Sequence, residues 1–416
     1  MKISFFSLPY QLENFSFHPQ DVSSLLRYLG YNSGNLLFRH GAYSFFDGEF
    51  AEDLADPESD LIILPLANQI GLHESAIKTC IFLNDKLSET KAPIIALGLG
   101  SQVESVFYKD LDPNIVAFIR LLSNRCKTIH VRDENTKRLI GLLDMHNVVV
   151  SGCPSFFLNR SQDLGRQIMI KLNYPKFNIN TTYQSFNDPL TPHLFGLKKF
   201  SHEKFSIIIQ ENQDNEITNF LLKRPIYSKD LDPCFHFFYN LRDWKNHVKH
   251  FDLHIGTRIH NSIMNILCGN VSICITHDAR TLNLCKTLHI PYIPKERFMN
   301  ISEDFNQILS EINFDDKKFD DNRSILLESF VQEIRCHLPD YRLLFNLKIP
   351  ELNLNHFPES ALLLQYTNIN VLKTKLPHDF SASSYLHLNP DLECFREEKD
   401  LILHYLRYGR HEQRRY

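Results

Sequence analysis

The stretch that most narrows the fold runs from Phe251 to Ile290, FDLHIGTRIHNSIMNILCGNVSICITHDARTLNLCKTLHI. Its first residues, Phe251 to Ile255, alternate apolar and polar side chains as a half-buried strand does. Gly256 and Thr257 break that run, and Ile263, Ile266 and Leu267 follow at helical spacing. A second strand over Val271 to Ile275 and a second helix over Ala279 to Leu288 come directly after. Strand, loop and helix repeated at this interval give a parallel α/β structure. Ligands of such sheets gather at the carboxyl ends of the strands, where helix N-termini also point. Arg258 and His260 sit at one such end. If the backbone there is still extended, residues two apart project to one side and share a small volume. A permanent cation beside a titratable imidazole suits an anionic substrate whose reaction moves a proton. A surface loop that happens to hold an Arg and a His is the plainer alternative.

The same alternation runs through the first half of the chain. Lys2 to Ser7 reads as a strand, and Gln20 to Leu29 as an amphipathic helix with Val22, Leu25, Leu26 and Leu29 on one face. Ser33-Gly34-Asn35 reads as a tight turn. Continuous apolar runs at Asp60 to Leu66 and Ile94 to Leu97 are of the buried parallel type. The second leads into Gly98-Leu99-Gly100-Ser101-Gln102, a turn of the kind that cradles phosphate, although a third glycine is absent and close packing explains the glycines equally well. A helix over Ile115 to Ser123, a strand over Thr128 to Val131 ending at Arg132-Asp133, a helix over Asn135 to Leu143 and a strand over Val148 to Val150 complete a doubly wound parallel sheet.

From Asn159 to Phe200 periodicity is poor, and Asn, Thr, Gln, Pro and Lys dominate, which reads as an inter-domain segment with loops over a cleft. Regular units resume at Phe205 to Ile209. Ile226 to Tyr239 is ambiguous, Leu241 to Val248 reads as a helix, and the pattern after Pro294 is helical to Leu344. The expected organisation is an N-terminal Rossmann-like domain over 1–165, a C-terminal one over 200–345 carrying Arg258 and His260, and a small helical tail over 380–416.

A chain of 416 residues suffices for two such domains and an appendage. Its hydrophobic share of 43% and charged share of 23% describe a globular protein, and a net charge of -4 gives no case for nucleic acid or a polybasic membrane surface. Nine scattered cysteines form no CxxC pair, no run reaches a transmembrane length, and the apolar start is cut short by Pro9, Gln11 and Glu13. These features point to the cytoplasm. No Asp, Glu or His cluster has metal spacing, and nothing specifies an oligomeric state.

Taken in order, Asn32-Ser33-Gly34-Asn35, Ala96 to Gln102, Val131-Arg132-Asp133, Gly152-Cys153-Pro154-Ser155 and Gly256-Thr257-Arg258-Ile259-His260 resemble the polysaccharide pyruvyl transferase family. The resemblance implies a GT-B-like pair of Rossmann-like domains with parallel sheets facing across a cleft. It also implies transfer of the enolpyruvyl unit of phosphoenolpyruvate onto two hydroxyls of a sugar in a polysaccharide or glycan precursor, free or lipid-linked, with a cyclic ketal and phosphate as products. Arg132 matches the family's basic residue at an N-domain strand end, and Arg258 and His260 match its Arg-x-His. Asn35 stands where an Asp is common, and Cys153 stands before Pro154 where Asp-Pro is common.

The implied chemistry fits these residues. A donor with a carboxylate and a phosphate needs at least two fixed cations, for which Arg132 and Arg258 are the candidates, with Gly100, Ser101 and Gln102 as further donor contacts. His260 would serve as acid in one step and base in another. Asn35, His277, Asp278 and Arg280 are candidate donor or acceptor contacts, Asp278 being equally well placed as a helix cap. No cofactor is implied beyond phosphoenolpyruvate as co-substrate. Two other readings remain open, a nucleotide-sugar glycosyltransferase of GT-B fold and a non-catalytic glycan-binding protein. The tail residues Tyr385 to Leu392, His404-Tyr405 and Tyr408-Gly409-Arg410 resemble a short helical module found at the ends of bacterial glycan-modifying proteins.

Overall fold

Runs of aliphatic residues dictate the central strands. β3 (Leu61–Pro65) and β4 (Ile94–Leu99) are buried along their whole length, as strands covered on both faces must be. The computed structural model describes residues 2–6, 25–26, 29–46, 49–51, 53–212, 215–221, 224–337, 376–389, 398, 401–402 and 405. With β1 (Lys2–Phe5), β2 (Glu49–Ala51), β5 (Ile129–Val131) and β6 (Val148–Val150), these strands form an all-parallel sheet in the order β2-β1-β3-β4-β5-β6. Helices α1 (Gly34–Tyr43), α2 (Glu74–Ser88), α3 (Pro113–Arg125) and α4 (Glu134–Leu142) connect them. The second sheet has the order β12-β11-β10-β7-β8-β9 and is again all parallel. Its strands are β7 (Ile179–Thr182), β8 (Phe205–Ile209), β9 (Phe235–Phe237), β10 (Leu253–Gly256), β11 (Val271–Thr276) and β12 (Tyr292–Pro294). Strand order therefore reverses between β7 and β10, the switch point where open α/β sheets take their ligands.

The segment over 159–200 is more regular than its composition suggested. It contains α5 (Leu164–Leu172), α6 (Thr191–Phe195) and β7, a strand in the middle of the second sheet, so that sheet begins well before residue 200. The strand escaped notice because Asn180, Thr181 and Thr182 are polar, yet all three are fully buried. β10 likewise is buried on both faces, with His254 fully enclosed, where alternation suggested a half-buried strand. Ser33-Gly34-Asn35 is not a free turn, because α1 starts at Gly34. Of the helix expected over Gln20 to Leu29, Leu25 and Leu26 are helical and most of the rest lies outside the described residues.

The buried Asn180 of β7 is satisfied by helix α9 (Ile259–Leu267), which follows β10, while Thr181 donates to Ile255 O of β10 and the Thr182 hydroxyl meets His254 of the same strand. Asn180 Nδ2 donates to Asn265 Oδ1 at 2.8 Å, and Asn180 Oδ1 accepts from Asn261 and Asn265 at 3.0 and 3.1 Å. Asn270 donates to Asn265, and Trp244, on α8 (Leu241–Val248), donates its indole N–H to Asn261. α7 is Glu216–Leu221, α10 is Ala279–Leu288, and α11 (Lys295–Ile301) and α12 (Phe305–Ser310) lead to α13 (Asp316–His337). Phe330 of α13 stacks on His130 of β5 at 5.0 Å and on Phe45 at 5.6 Å, so the late helix ties back to the first sheet. No described helix is long and apolar enough to cross a membrane.

A separate C-terminal unit contains α14 (Ala382–Leu388), capped by Ser381, with Tyr385, Leu401 and Tyr405 clustered and Phe380 against them. Its helix agrees with the helical tail expected from sequence. Pro390 to Leu392, His404 and Tyr408 to Arg410 lie outside the described residues.

Burial makes the second sheet sensitive to acid. Burial holds His254 down at about 3, although its ring meets the hydroxyls of Thr182 and Ser272. The imidazole stays neutral in the folded chain but takes a proton near pH 6.5 once unfolded. Below that pH the unfolded state binds more protons, so stability falls as pH drops from 6.5 toward 3. The slope is about 1.4 kcal/mol per pH unit for this group. Urea melts at about pH 7 and about pH 5 should show the loss, and His254→Gln should flatten it. An unchanged slope in that variant would place the acid sensitivity elsewhere.

Candidate functional site

A cavity of about 350 Å³ opens between the two sheets, where their carboxyl-end loops meet. This is the GT-B-like arrangement, and the volume lies at the small end for a ligand site. The first sheet contributes Asn68 after β3, Gln102 after β4 and Arg132 after β5. The second contributes Gln210 and Glu211 after β8 and Thr257 and Arg258 after β10. Asn35 of α1, His260 of α9 and Arg280 of α10 each stand in the first turn of a helix, so three helix N-termini face the cavity with their partial positive charge.

Arg132 is only 2% exposed, and its Nε and Nη2 have no hydrogen-bond partner among the described residues. Its guanidinium lies 5.3 Å over the ring of Phe38, and the same ring stacks on His260 at 5.7 Å. Phe38 therefore carries a cation and an imidazole side by side. Asp133 acts on Arg132 only through space and forms no ion pair with it; its carboxylate turns to cap α4, accepting from Thr136 N at 2.8 Å. His260 Nε2 is also buried without a partner. Burial, reinforced by the charges of Arg132 and Arg280, holds His260 well below its usual range, so the imidazole is neutral. Burial likewise lowers Arg132, with Arg280 adding to the effect. A side chain on Gly34 would put its Cβ 2.8 Å from His260 Nδ1, so the lack of one is what lets α1 approach the imidazole.

Arg258 reaches the cavity differently from the expectation. Its own backbone is extended, but His260 already lies within α9, so the two do not project as strand neighbours. The Arg258 guanidinium grips Glu211 with both forks, at 2.7 and 2.8 Å, and donates to the carbonyls of Tyr183 and Gln184 at 3.1 and 2.9 Å. These contacts use four of the five N–H donors of a guanidinium. Glu211 also accepts from Asn32 Nδ2 of the first half at 2.6 Å, and Ser33 N donates to Gln210 O at 2.9 Å.

Of the remaining sequence candidates, Asn35, Gln102 and Arg280 line the cavity, whereas Gly100, Ser101, His277 and Asp278 are not among its lining residues. The amides of the Gly100-Ser101-Gln102 loop do not point at a ligand. Gly100 N donates to Ala67 O, Ser101 N to Thr136 Oγ1 and Gln102 N to Ile70 O. The Ser101 hydroxyl turns to Val103 O at 2.8 Å. Gly100 is needed for packing, because a Cβ there would meet Ala67 O at 2.9 Å and Arg132 Cδ at 3.1 Å. Asp278 caps α10 through Thr281 N at 2.7 Å and pairs with Arg280 at 3.3 Å, while His277 stands 3.6 Å from the same carboxylate. Cys153 is buried against the Ser155 hydroxyl and is not among the lining residues of the cavity. Sequence reasoning missed Phe38, Asn68, Gln210 and Glu211 and treated Thr257 only as a strand breaker. Their loops follow strands, but no spacing pattern distinguishes them.

The chain matches the sequence pattern of the polysaccharide pyruvyl transferase family over residues 5–279, a span that holds every cavity residue named above except Arg280. No curated protein matches it in sequence. Among solved structures, it is similar to UDP-GlcNAc 2-epimerase from Neisseria meningitidis bound to UDP-GlcNAc, at 11% identity and a TM-score of 0.38, over 80% of this chain and 100% of that one. It is also similar to the Anabaena protein HepE in complex with UDP-glucose, at 11% identity and a TM-score of 0.42, over 82% of this chain and 99% of that one. With two thirds of its length matched, the chain belongs to the polysaccharide pyruvyl transferase family.

Proposed function

We propose that the cavity binds phosphoenolpyruvate with a saccharide and moves the enolpyruvyl unit onto two hydroxyls of one sugar. The observation that carries this reading is Arg132, a buried guanidinium with two nitrogens unpartnered beside an imidazole whose Nε2 is also unpartnered. An isolated buried cation is costly, and an anionic ligand is the partner that removes the cost. Arg132, Arg280 and the N-terminus of α10 receive the phosphate. The fifth N–H of Arg258, left over by Glu211 and the two carbonyls, reaches the carboxylate.

The reaction needs one proton delivered and two removed. The first sugar hydroxyl bonds to C2 as C3 takes a proton, the phosphate departs with the C2–O electron pair, and the second hydroxyl bonds to C2. One hydroxyl proton replaces the proton given to C3, and the other leaves with phosphate. Burial, with the charges of Arg132 and Arg280 adding to it, keeps His260 neutral before the donor binds. The donor's negative charge offsets those cations, so His260 takes up a proton as the donor binds and passes it to C3. Donor affinity consequently falls as pH rises from the depressed value of His260 in the free protein to the higher value it acquires in the complex, and levels off above that.

A thermal-shift comparison of phosphoenolpyruvate with nucleotide sugars tests the donor, and phosphate release with a glycan acceptor tests turnover. The product should gain the mass of pyruvate less one water. Stabilisation by a nucleotide sugar alone would overturn the reading in favour of glycosyl transfer. Arg132→Met should lower kcat/KM for the donor by about 10²-fold or more. It should at the same time leave the melting temperature of the empty protein equal or higher, because an unpaired buried charge is removed. A stability loss equal to the activity loss would make Arg132 structural. Calorimetry of donor binding in buffers of different ionisation heat should show less proton uptake in His260→Gln than in the parent. Equal uptake would remove His260 from the proton path.

A further inference from the structure

The cavity holds a second set of unsatisfied groups that the donor does not explain. Among the described residues, Thr257 is 1% exposed and its Oγ1 has no hydrogen-bond partner; Gln210 is 3% exposed and its Nε2 has none; Asn68 Oδ1 is buried and has none. All three residues line the cavity, Asn68 from the first sheet and the other two from the second. Leaving a buried polar group unpaired is costly, so three beside one cavity mark a place where a ligand supplies the partners.

Their chemistry differs from that of Arg132 and His260. An amide presents both a donor and an acceptor, and a threonine hydroxyl does the same. Phosphoenolpyruvate in its ionised form offers only acceptor oxygens, so it leaves a carbonyl oxygen such as Asn68 Oδ1 unmet. A sugar hydroxyl both donates and accepts and satisfies all three. Charge also distinguishes the two ligands. Arg132 and Arg280 draw the anionic groups of the donor. The donor then brings a carboxylate and a phosphate into the cavity, so a charged sugar beside it is repelled and an uncharged one is not.

We infer that Asn68, Gln210 and Thr257 form the acceptor subsite, which takes an uncharged sugar residue through its hydroxyls and presents two of them to the donor. The inference rests on the pyruvyl-transfer reading for its role but not for its ligand class.

Thr257→Val is the cleanest test, since it keeps shape and removes a hydroxyl that no protein group uses. Gln210→Leu is the second variant. Phosphate release from phosphoenolpyruvate would be followed with p-nitrophenyl galactoside, glucoside, N-acetylmannosaminide and glucuronide as acceptors. Thr257→Val should raise the acceptor KM about tenfold, the effect of one lost hydrogen bond. The calorimetric Kd for phosphoenolpyruvate alone should stay unchanged, Thr257→Ser should restore the acceptor KM, and the glucuronide should be the poorest acceptor. A changed donor Kd with an unchanged acceptor KM would overturn the assignment, as would preference for the glucuronide. Should the parent protein release no phosphate with any acceptor, the pyruvyl-transfer reading fails by itself. Saturation-transfer NMR with the neutral glycosides then decides the subsite, which stands if they bind and Thr257→Val abolishes the signal, and falls if none binds.

Discussion

The site depends on one carboxylate shared between the two halves. Glu211 follows a strand of the second sheet, grips both forks of Arg258 within that sheet and accepts from Asn32 of the first. Partly desolvated, this pair repays its own hydration only because the guanidinium fork and the carboxylate match in shape and the spare donors reach two carbonyls. Breaking one partner of such a pair leaves a buried charge and costs about 3–5 kcal/mol. The joint therefore fixes both the approach of α1 to α9 and the position from which α9 starts. Beneath it, the asparagine lattice of Asn180, Asn261, Asn265 and Asn270 holds α9 against the sheet, so His260 stands on a rigid base.

Arg132 is the opposite case. It is buried with two nitrogens unmatched, in contact with an aromatic face and near another cation. Folding gains nothing from that placement. Under the proposed function an anionic ligand supplies the compensating energy, and burial, with the charges of Arg132 and Arg280 adding to it, keeps His260 neutral until negative charge arrives. On that reading anion binding and proton movement are coupled through one electrostatic balance, with Phe38 in contact with both groups.

Much of the fold was legible because its central strands are aliphatic and its helices amphipathic. β3, β8 and α10 were visible on that basis. β7 was not, since Asn180 to Thr182 look like a loop until their hydrogen-bond partners on α9 and β10 are known. Arg132, Arg258 and His260 were legible as strand-end residues of a recognisable pattern, and one cavity collects all three. The phosphate cradle suggested by Gly98 to Gln102 was misleading, because glycine spacing cannot tell amides aimed at a ligand from amides spent on neighbouring loops.

By itself the sequence determined two parallel α/β halves and the strand ends that carry cationic and titratable side chains, because periodicity and loop position are local properties. Tertiary structure alone decided which cation is paired. Arg258 meets Glu211 across 47 residues and Arg132 meets no carboxylate, although Asp133 adjoins it in the chain. That choice follows from the loops of two sheets closing on one another, and pairing between distant charges is set by their three-dimensional approach rather than by their order in the chain.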